Sequence, residues 1–364
     1  MNKQIVHSPS QGLAVRSAAL VARGLRDLTR SSNWLAKKVF EGHSSTVAVS
    51  STGQVCTISP TTADLVIYDV EAKEVVQSLA VPALGLAPGT DVSAAFAFSP
   101  TGRHIVAAST AWRPRLHILD RQKNTLLGMF GEFTALPRRL AWSNAEKYFA
   151  MATADAKNPV VRLWQASEHS ALFAGEPLST TAASDSMERQ TYEAEFGDEG
   201  AFSGYGCTAF SPDDKSLATA LEIKGDWADD SIVLMSVPTL EKQTIHSARG
   251  HVTHLTWTPD SDQIVYCASG QAYRLTLGAS DAEELPFGAE VCAHHPELPV
   301  CLCFSSWVKG SSQGRLFLVD MNRLTVYDER EASEIGDVRW SLDGTKAFAI
   351  TREGVAYVYE PSVL

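Results

Sequence analysis

From about residue 36 onward, apolar and polar residues alternate in stretches of four to eight, and a five-residue phrase falls between many successive stretches. The phrase occurs as VSSTG at 49–53, FSPTG at 98–102, WSNAE at 142–146, FSPDD at 210–214, WTPDS at 257–261 and WSLDG at 340–344. Ser, Pro, Asp, Asn and Gly are turn formers, so each copy predicts a tight turn between two antiparallel strands. A unit recurring at about 45 residues is the period of a four-stranded propeller blade. The predicted fold is therefore all-β: a seven-bladed β-propeller over residues 37–364, preceded by a basic arm at 1–36.

With the phrase as the link between strands a and b, the blades parse in order. Blade one takes TVAVS, QVCTIS, LVIYD and VVQSLA, and blade two takes DVSAAFAF, RHIVAAS, RLHILD and TLLGMF. Blade three takes RRLAW, KYFAMAT, VVRLW and ALFAG; blade four takes CTAF, SLATAL, IVLMSV and KQTIHS. Blade five takes HLTW, QIVYCAS, AYRLTL and a short strand near Glu284 to Phe287, while blade six replaces the phrase with HHPEL at 294–298. Blade seven supplies VRW, KAFAIT and VAYVYE and is one strand short, which would leave an unpaired edge. Residues 37–41 of AKKVFEG are expected to fill that place and close the ring, with Val39 beside Tyr357 and Val358.

The strand-c endings IYD at 67–69, ILD at 118–120, RLW at 162–164, LVD at 318–320 and VYE at 358–360, with Gly-His at 42–43 and 250–251, resemble the WD-repeat family in a degenerate, bacterial-type form. In that family His, Ser/Thr, Asp and Trp share hydrogen bonds within a blade. Here Trp164 alone holds the tryptophan place and Gln165 follows it, so the tetrad does not carry over as a whole.

Strand direction places the a–b and c–d turns on one face of the disk and the b–c and d–a loops on the other. The long loops are read onto the second face: TAWRPR at 110–115, EIKGDWADDS at 222–231, SWVKGSSQG at 306–314, and a d–a link from about Gly175 to Gly206. Aromatic and arginine side chains dominate interface hot spots because they bury rigid area while keeping a polar handle. The candidate partner-binding set is Trp112, Arg113, Arg115, Tyr192, Phe196, Asp226, Trp227, Asp229, Asp230, Trp307 and Lys309. The acids of 185–199 and 222–230 make the quadrant of blades three and four negative, matching a basic partner segment or a solvated acidic loop.

The net charge of −11 conceals an asymmetry: residues 1–40 carry +6 and the rest −17. The body should repel nucleic acid and anionic membranes, so neither is an expected partner. Between Leu13 and Leu28 apolar residues recur at helical spacing, predicting an amphipathic basic helix whose contacts would be Arg16, Val21, Arg23, Leu25, Arg26 and Leu28. It could pack on the propeller rim, dock in a partner's groove, or serve as a membrane-surface or presequence helix. No run is apolar enough to span a membrane and nothing reads as a secretory signal, so the expected address is cytoplasmic. Six cysteines without such a signal predict reduced, buried thiols.

No cofactor is expected and no GxSxG, HExxH, P-loop or dinucleotide fingerprint occurs. Cys292, His294, His295, Cys301 and Cys303 cluster in blade six, but strand alternation does not bring two sulfurs together as a zinc site needs, and GDWADD lacks the ligand spacing of a calcium loop. The leading expectation is a non-enzymatic protein-interaction scaffold or assembly subunit. The alternative is a lactonase- or lyase-like enzyme, or a small-ligand binder, using the central channel; inward-pointing His, Asp, Glu or Arg from at least three blades converging at its mouth would favour the enzyme, and an apolar aromatic rim the scaffold.

Overall fold

The computed structural model describes residues 32–39, 47–59, 64–79, 94–109, 116–123, 125–130, 136–154, 160–165, 191–195, 200–201, 207–223, 230–306 and 313–361. All regular structure among them is β-strand. Ser32–Lys38 (β1) comes first, and blade one follows as β2 (Val47–Val49), β3 (Gln54–Ile58), β4 (Leu65–Asp69) and β5 (Glu74–Leu79). Blade two is β6 (Ala94–Phe98), β7 (His104–Ser109), β8 (Leu116–Asp120) and β9 (Thr125–Phe130); blade three is β10 (Leu136–Trp142), β11 (Tyr148–Ala154), β12 (Val160–Gln165) and β13 (Thr191–Glu195). Blade four has a divided inner strand, β14 (Gly200–Ala201) and β15 (Thr208–Phe210), both paired with β16 (Ser216–Ile223), then β17 (Asp230–Ser236) and β18 (Lys242–Ser247). Blade five is β19 (Val252–Trp257), β20 (Gln263–Ala268), β21 (Gln271–Thr276) and β22 (Glu283–Glu284); blade six is β23 (Val291–His294), β24 (Val300–Ser305), β25 (Gly314–Asp320) and β26 (Thr325–Ala332). Blade seven runs β27 (Ile335–Trp340), β28 (Ala347–Thr351), β29 (Val355–Pro361), with β1 outermost. The fold is the expected seven-bladed propeller, closed by the N-terminal strand.

Closure holds, but its boundaries shift. The outer strand of blade seven is 32–38 rather than 37–41, antiparallel to β29 with Leu35 opposite Val358 and Ala36 opposite Tyr357. Val39 lies just past the strand, donates its N–H to the Gly354 carbonyl at 2.8 Å and is buried with Val358 and Ala356 between blades seven and one. The strand thus takes in five residues assigned above to the arm. The predicted helix at 13–28 lies outside the described residues.

A second correction concerns blade three. Its outer strand is Thr191–Glu195, not ALFAG at 171–175. The sequence carries the reason: TYEAE alternates Tyr192 and Ala194 with three polar residues, the pattern of a half-exposed outer strand, whereas ALFAG has no alternation. Residues 166–190 therefore link strand c to strand d, so the long connections of the chain are not all of the b–c and d–a kind.

The hydrophobic core is not a single mass but a set of layers between neighbouring blades. One layer joins blades one and two through Cys56, Ile67, Ile105 and Leu119, and another joins six and seven through Leu302, Leu316, Val338 and Tyr359. Each strand buries alternate residues against the blade before and the blade after, so nearly every interior position is apolar.

The phrase itself has a single mechanical role. Its second residue is a hydroxyl that accepts the N–H of the first residue of strand b or the one beside it: Ser50 from Gln54 at 2.9 Å, Ser99 from His104 at 3.1 Å, Ser143 from Tyr148 at 2.9 Å and Ser341 from Lys346 at 2.9 Å. Its last residue takes the left-handed conformation, at Gly53, Gly102, Glu146, Asp214, Ser261 and Gly344. Ser and Thr suit the first task, and Gly, Asp or Asn the second.

Blade six reaches the same geometry with a different side chain. His295 stands where the other blades have Ser or Thr, and its Nδ1 accepts the N–H groups of Glu297 at 3.0 Å and Leu298 at 2.9 Å. Its Nε2–H donates to the Gly344 carbonyl of blade seven at 3.0 Å.

Candidate functional site: the central channel

Of the residues singled out as partner contacts, Trp112, Arg113, Arg115, Phe196, Asp226, Trp227, Asp229, Trp307 and Lys309 lie outside the described residues, as do Arg16, Val21, Arg23, Leu25, Arg26 and Leu28 of the arm. Tyr192 is not in a loop but in β13, opposite Leu163. Asp230 is 1% exposed, so it is not a surface contact. Its carboxylate accepts the Val252 N–H at 2.7 Å and faces His251 Nδ1 at 3.2 Å, tying blade four to blade five.

The central channel is a cavity of about 450 Å³ walled by the inner strands of all seven blades. It is bounded by the phrase turns, including Ser51, Pro100, Pro212, Pro259, Pro296 and Leu342, so it lies toward the uniform face. Its width follows from one sequence position. Two residues before the Ser/Thr of the phrase, five blades place alanine (Ala48, Ala97, Ala141, Ala209, Ala293), blade five places Thr256, and blade seven places Arg339. Small side chains at one level leave the channel open there.

The next residue along forms the inter-blade joints. Trp142 donates its indole N–H to the Ala97 carbonyl at 3.2 Å, Trp257 to Ala209 at 3.1 Å and Trp340 to Ala293 at 3.0 Å. Blades three, five and seven are thereby bonded to blades two, four and six. The Ala-aromatic-Ser triplet is legible in the sequence at 97–99, 141–143 and 209–211, its alanine one residue upstream of the phrase.

Ionisable side chains from three blades line this wall, which weighs toward the alternative of a site in the channel: His254 from blade five, His294 and His295 from blade six, Asp337 and Arg339 from blade seven. Two are fully committed. Asp337 is buried and accepts the Val49 N–H at 3.0 Å, and His295 is bonded on both nitrogens. His294 Nδ1 carries a hydrogen, because it lies 3.0 Å from the His295 carbonyl, which can only accept.

Burial pushes both imidazoles down to about 4; the hydrogen bonds to the His295 and Gly344 carbonyls oppose this, and in His295 the adjacent His294 adds to it. In the unfolded chain both would protonate near 6.5, so between pH 6.5 and 4 the unfolded state binds protons that the folded state refuses. Stability should therefore be full above pH 6.5 and fall as pH drops toward 4, by up to about 1.4 kcal/mol per pH unit and per imidazole. Urea midpoints at pH 7.5 and 5 check this. The variant His294→Phe/His295→Ser, which restores the phrase of blade two, should flatten the dependence; an unchanged slope would assign it elsewhere.

The cysteines of blades five and six pack in the layer between those blades, and Cys292 also lines the channel. Cys267, Cys292, Cys301 and Cys303 are free and buried, with Cys292 opposite Cys303 across the ladder, and burial raises the Cys267 thiol well above its ordinary value. Among the described residues no three His, Cys, Asp or Glu side chains converge as a metal centre requires.

No protein-family model matches the chain, and no curated protein matches it in sequence. Among solved structures it is similar to the β-propeller domain of Cps50 (Swd1) from Myceliophteria thermophila, with a TM-score of 0.61, 13% identity, and coverage of 91% of this chain and 99% of that one. It is also similar to the hydrazine synthase of Kuenenia stuttgartiensis, with a TM-score of 0.60, 12% identity, and coverage of 85% of this chain and 94% of the other. At these identities the likeness is one of fold, and the fold is the β-propeller.

Proposed function

We propose that this chain is a non-enzymatic protein-interaction scaffold, a WD-repeat-like propeller serving as a subunit of a larger assembly. The observation that carries the reading is topological. The segments 110–115, 224–229 and 307–312, which hold Trp112, Trp227 and Trp307, each join strand b to strand c, in blades two, four and six. Three tryptophans thus fall in the b–c connections of alternate blades, whereas Trp142, Trp257 and Trp340 in the intervening blades are buried joints. Tryptophans in connecting segments are the side chains that anchor partners. The WD-repeat reading is supported by the Gly250-His251 pair, whose imidazole meets the buried Asp230.

The test compares quantitative pull-downs by the wild type with Trp112→Ala, Trp227→Ala and Trp307→Ala. Loss of a hot-spot tryptophan should reduce capture of a specific partner by roughly 30-fold or more, the equivalent of about 2 kcal/mol. Undiminished capture of every partner by all three variants would end the proposal.

A further inference from the structure

We propose that the central channel binds a small organic monoanion with an apolar body, and that Arg339 is the residue that recognises its charge. The site is independent of the scaffold reading.

The argument begins with the ring of small side chains. Alanine in five blades and Thr256 in a sixth leave the cavity of about 450 Å³ open, within the range of small-molecule sites. Arg339 is the seventh member of that ring and the odd one out. It is exposed, and it makes no hydrogen bond or ion pair among the described residues. The acid nearest in sequence on the same strand, Asp337, is 4% exposed and occupied by the Val49 N–H. A guanidinium in that position offers a planar fork for a carboxylate or sulfonate.

The rest of the wall selects the body of the ligand. Phe96, Phe98 and Phe210 line the cavity with flat apolar surface, and Trp142, Trp257 and Trp340 have already spent their N–H groups on carbonyls. They offer ring contact and no further donor. The mouth sets the charge limit. The phrase turns carry Asp213, Asp214, Asp260, Asp262 and Asp343, and the Ser341 hydroxyl and Thr345 groups that bond Asp343 hold its carboxyl down to about 2, so it is ionised. With Glu146 and Glu297 these acids outnumber Arg103, Lys147, Lys215 and Lys346 on the same turns, and that excess of negative charge disfavours multiply charged anions more than a single anionic group at Arg339.

Anilinonaphthalene sulfonate has this chemistry, and the three cavity tryptophans can report its position by energy transfer. Titrated into the full chain, it should bind saturably with transfer from tryptophan. Arg339→Met, which keeps the stem and removes the charge, should weaken binding at least about ten-fold, the factor carried by one charge-assisted contact. Arg339→Lys should retain most of the affinity, and uncharged N-phenylnaphthylamine should bind wild type and Arg339→Met alike. Equal sulfonate affinity in wild type and Arg339→Met, or the absence of saturable binding to the wild type, would overturn the proposal. Because Arg339 is exposed and unbonded, an unchanged melting temperature should accompany the charge-removing variant and separate recognition from folding.

Discussion

Replacing Gly344 with alanine is expected to cost about 3 kcal/mol of stability. Gly344 ends the phrase turn of blade seven at a φ of +67°, where a side chain pays about 1–2 kcal/mol in backbone strain. A Cβ there would also stand 2.4 Å from both Cε1 and Nε2 of His295, inside the contact distance of any two heavy atoms. The imidazole cannot yield freely: its Nδ1 holds two turn N–H groups, its Nε2 holds the Gly344 carbonyl, and its ring meets Trp340 edge-on at 4.7 Å between centroids. Gly270 is the control. Its φ is +80°, yet nothing lies within 4 Å of its added Cβ, so Gly270→Ala should show the backbone cost alone, about 1 kcal/mol. Urea denaturation of the two variants separates strain from overlap. Equal losses would mean that His295 does not brace the turn.

The second large effect concerns the N-terminal strand. A chain beginning at Val39 is expected to lose cooperative unfolding and to aggregate, while one beginning at Ser32 keeps every contact described for β1 and serves as the reference. Without β1 the β29 edge is left open, a template for pairing with other chains. The strand is also anchored sideways onto blade six. The Trp34 indole donates to Asp328 at 2.7 Å, its ring packs 4.8 Å from that of Tyr359, and Arg330 donates to the Trp34 carbonyl at 3.0 Å. Trp34→Ala in the intact chain should by itself cost about 3 kcal/mol, the lower end for a large aromatic in a core because Trp34 is only half-buried. Calorimetry of the two shortened chains decides the matter: matching transitions would show that the ring closes without the strand.

These residues also mark how far the sequence could be read. The blade count followed from the phrase because its Ser/Thr and left-handed residue are local requirements, met within five positions. The degenerate copy in blade six kept its role because the His295 nitrogen accepts what a hydroxyl accepts elsewhere, a substitution that pattern alone does not disclose. The missing strand was inferred from the need to cover an edge. Its register was not, since it depends on Asp328 and Tyr359, about three hundred residues from Trp34. Blade three was misread because two candidate strands lay within one long interval, and only alternation favours Thr191–Glu195. Asp230 reads in sequence as part of an acidic surface because Glu222, Asp226 and Asp229 precede it; its burial depends on His251 and Val252, in the next blade. The channel position escaped notice because a single alanine says nothing. Only the seven taken together reveal both the space and the arginine in it.

The tryptophan joints carry one more implication, which comes from counting. They divide the blades into two kinds, those that end their inner strand in Trp and those that do not, and the two kinds take turns from blade two to blade seven. Such a pattern closes on itself only around an even number. With seven, two like neighbours must meet, and they do so between blades one and two, where Val49 and Phe98 occupy the position. That boundary has its own fastening: Arg121 reaches across from blade two to the Gln54 side chain, bonds the Gly102 carbonyl and lies over the Phe98 ring at 5.9 Å. A ring of six or eight such blades would need no special piece. In this one, a single arginine stands where parity fails.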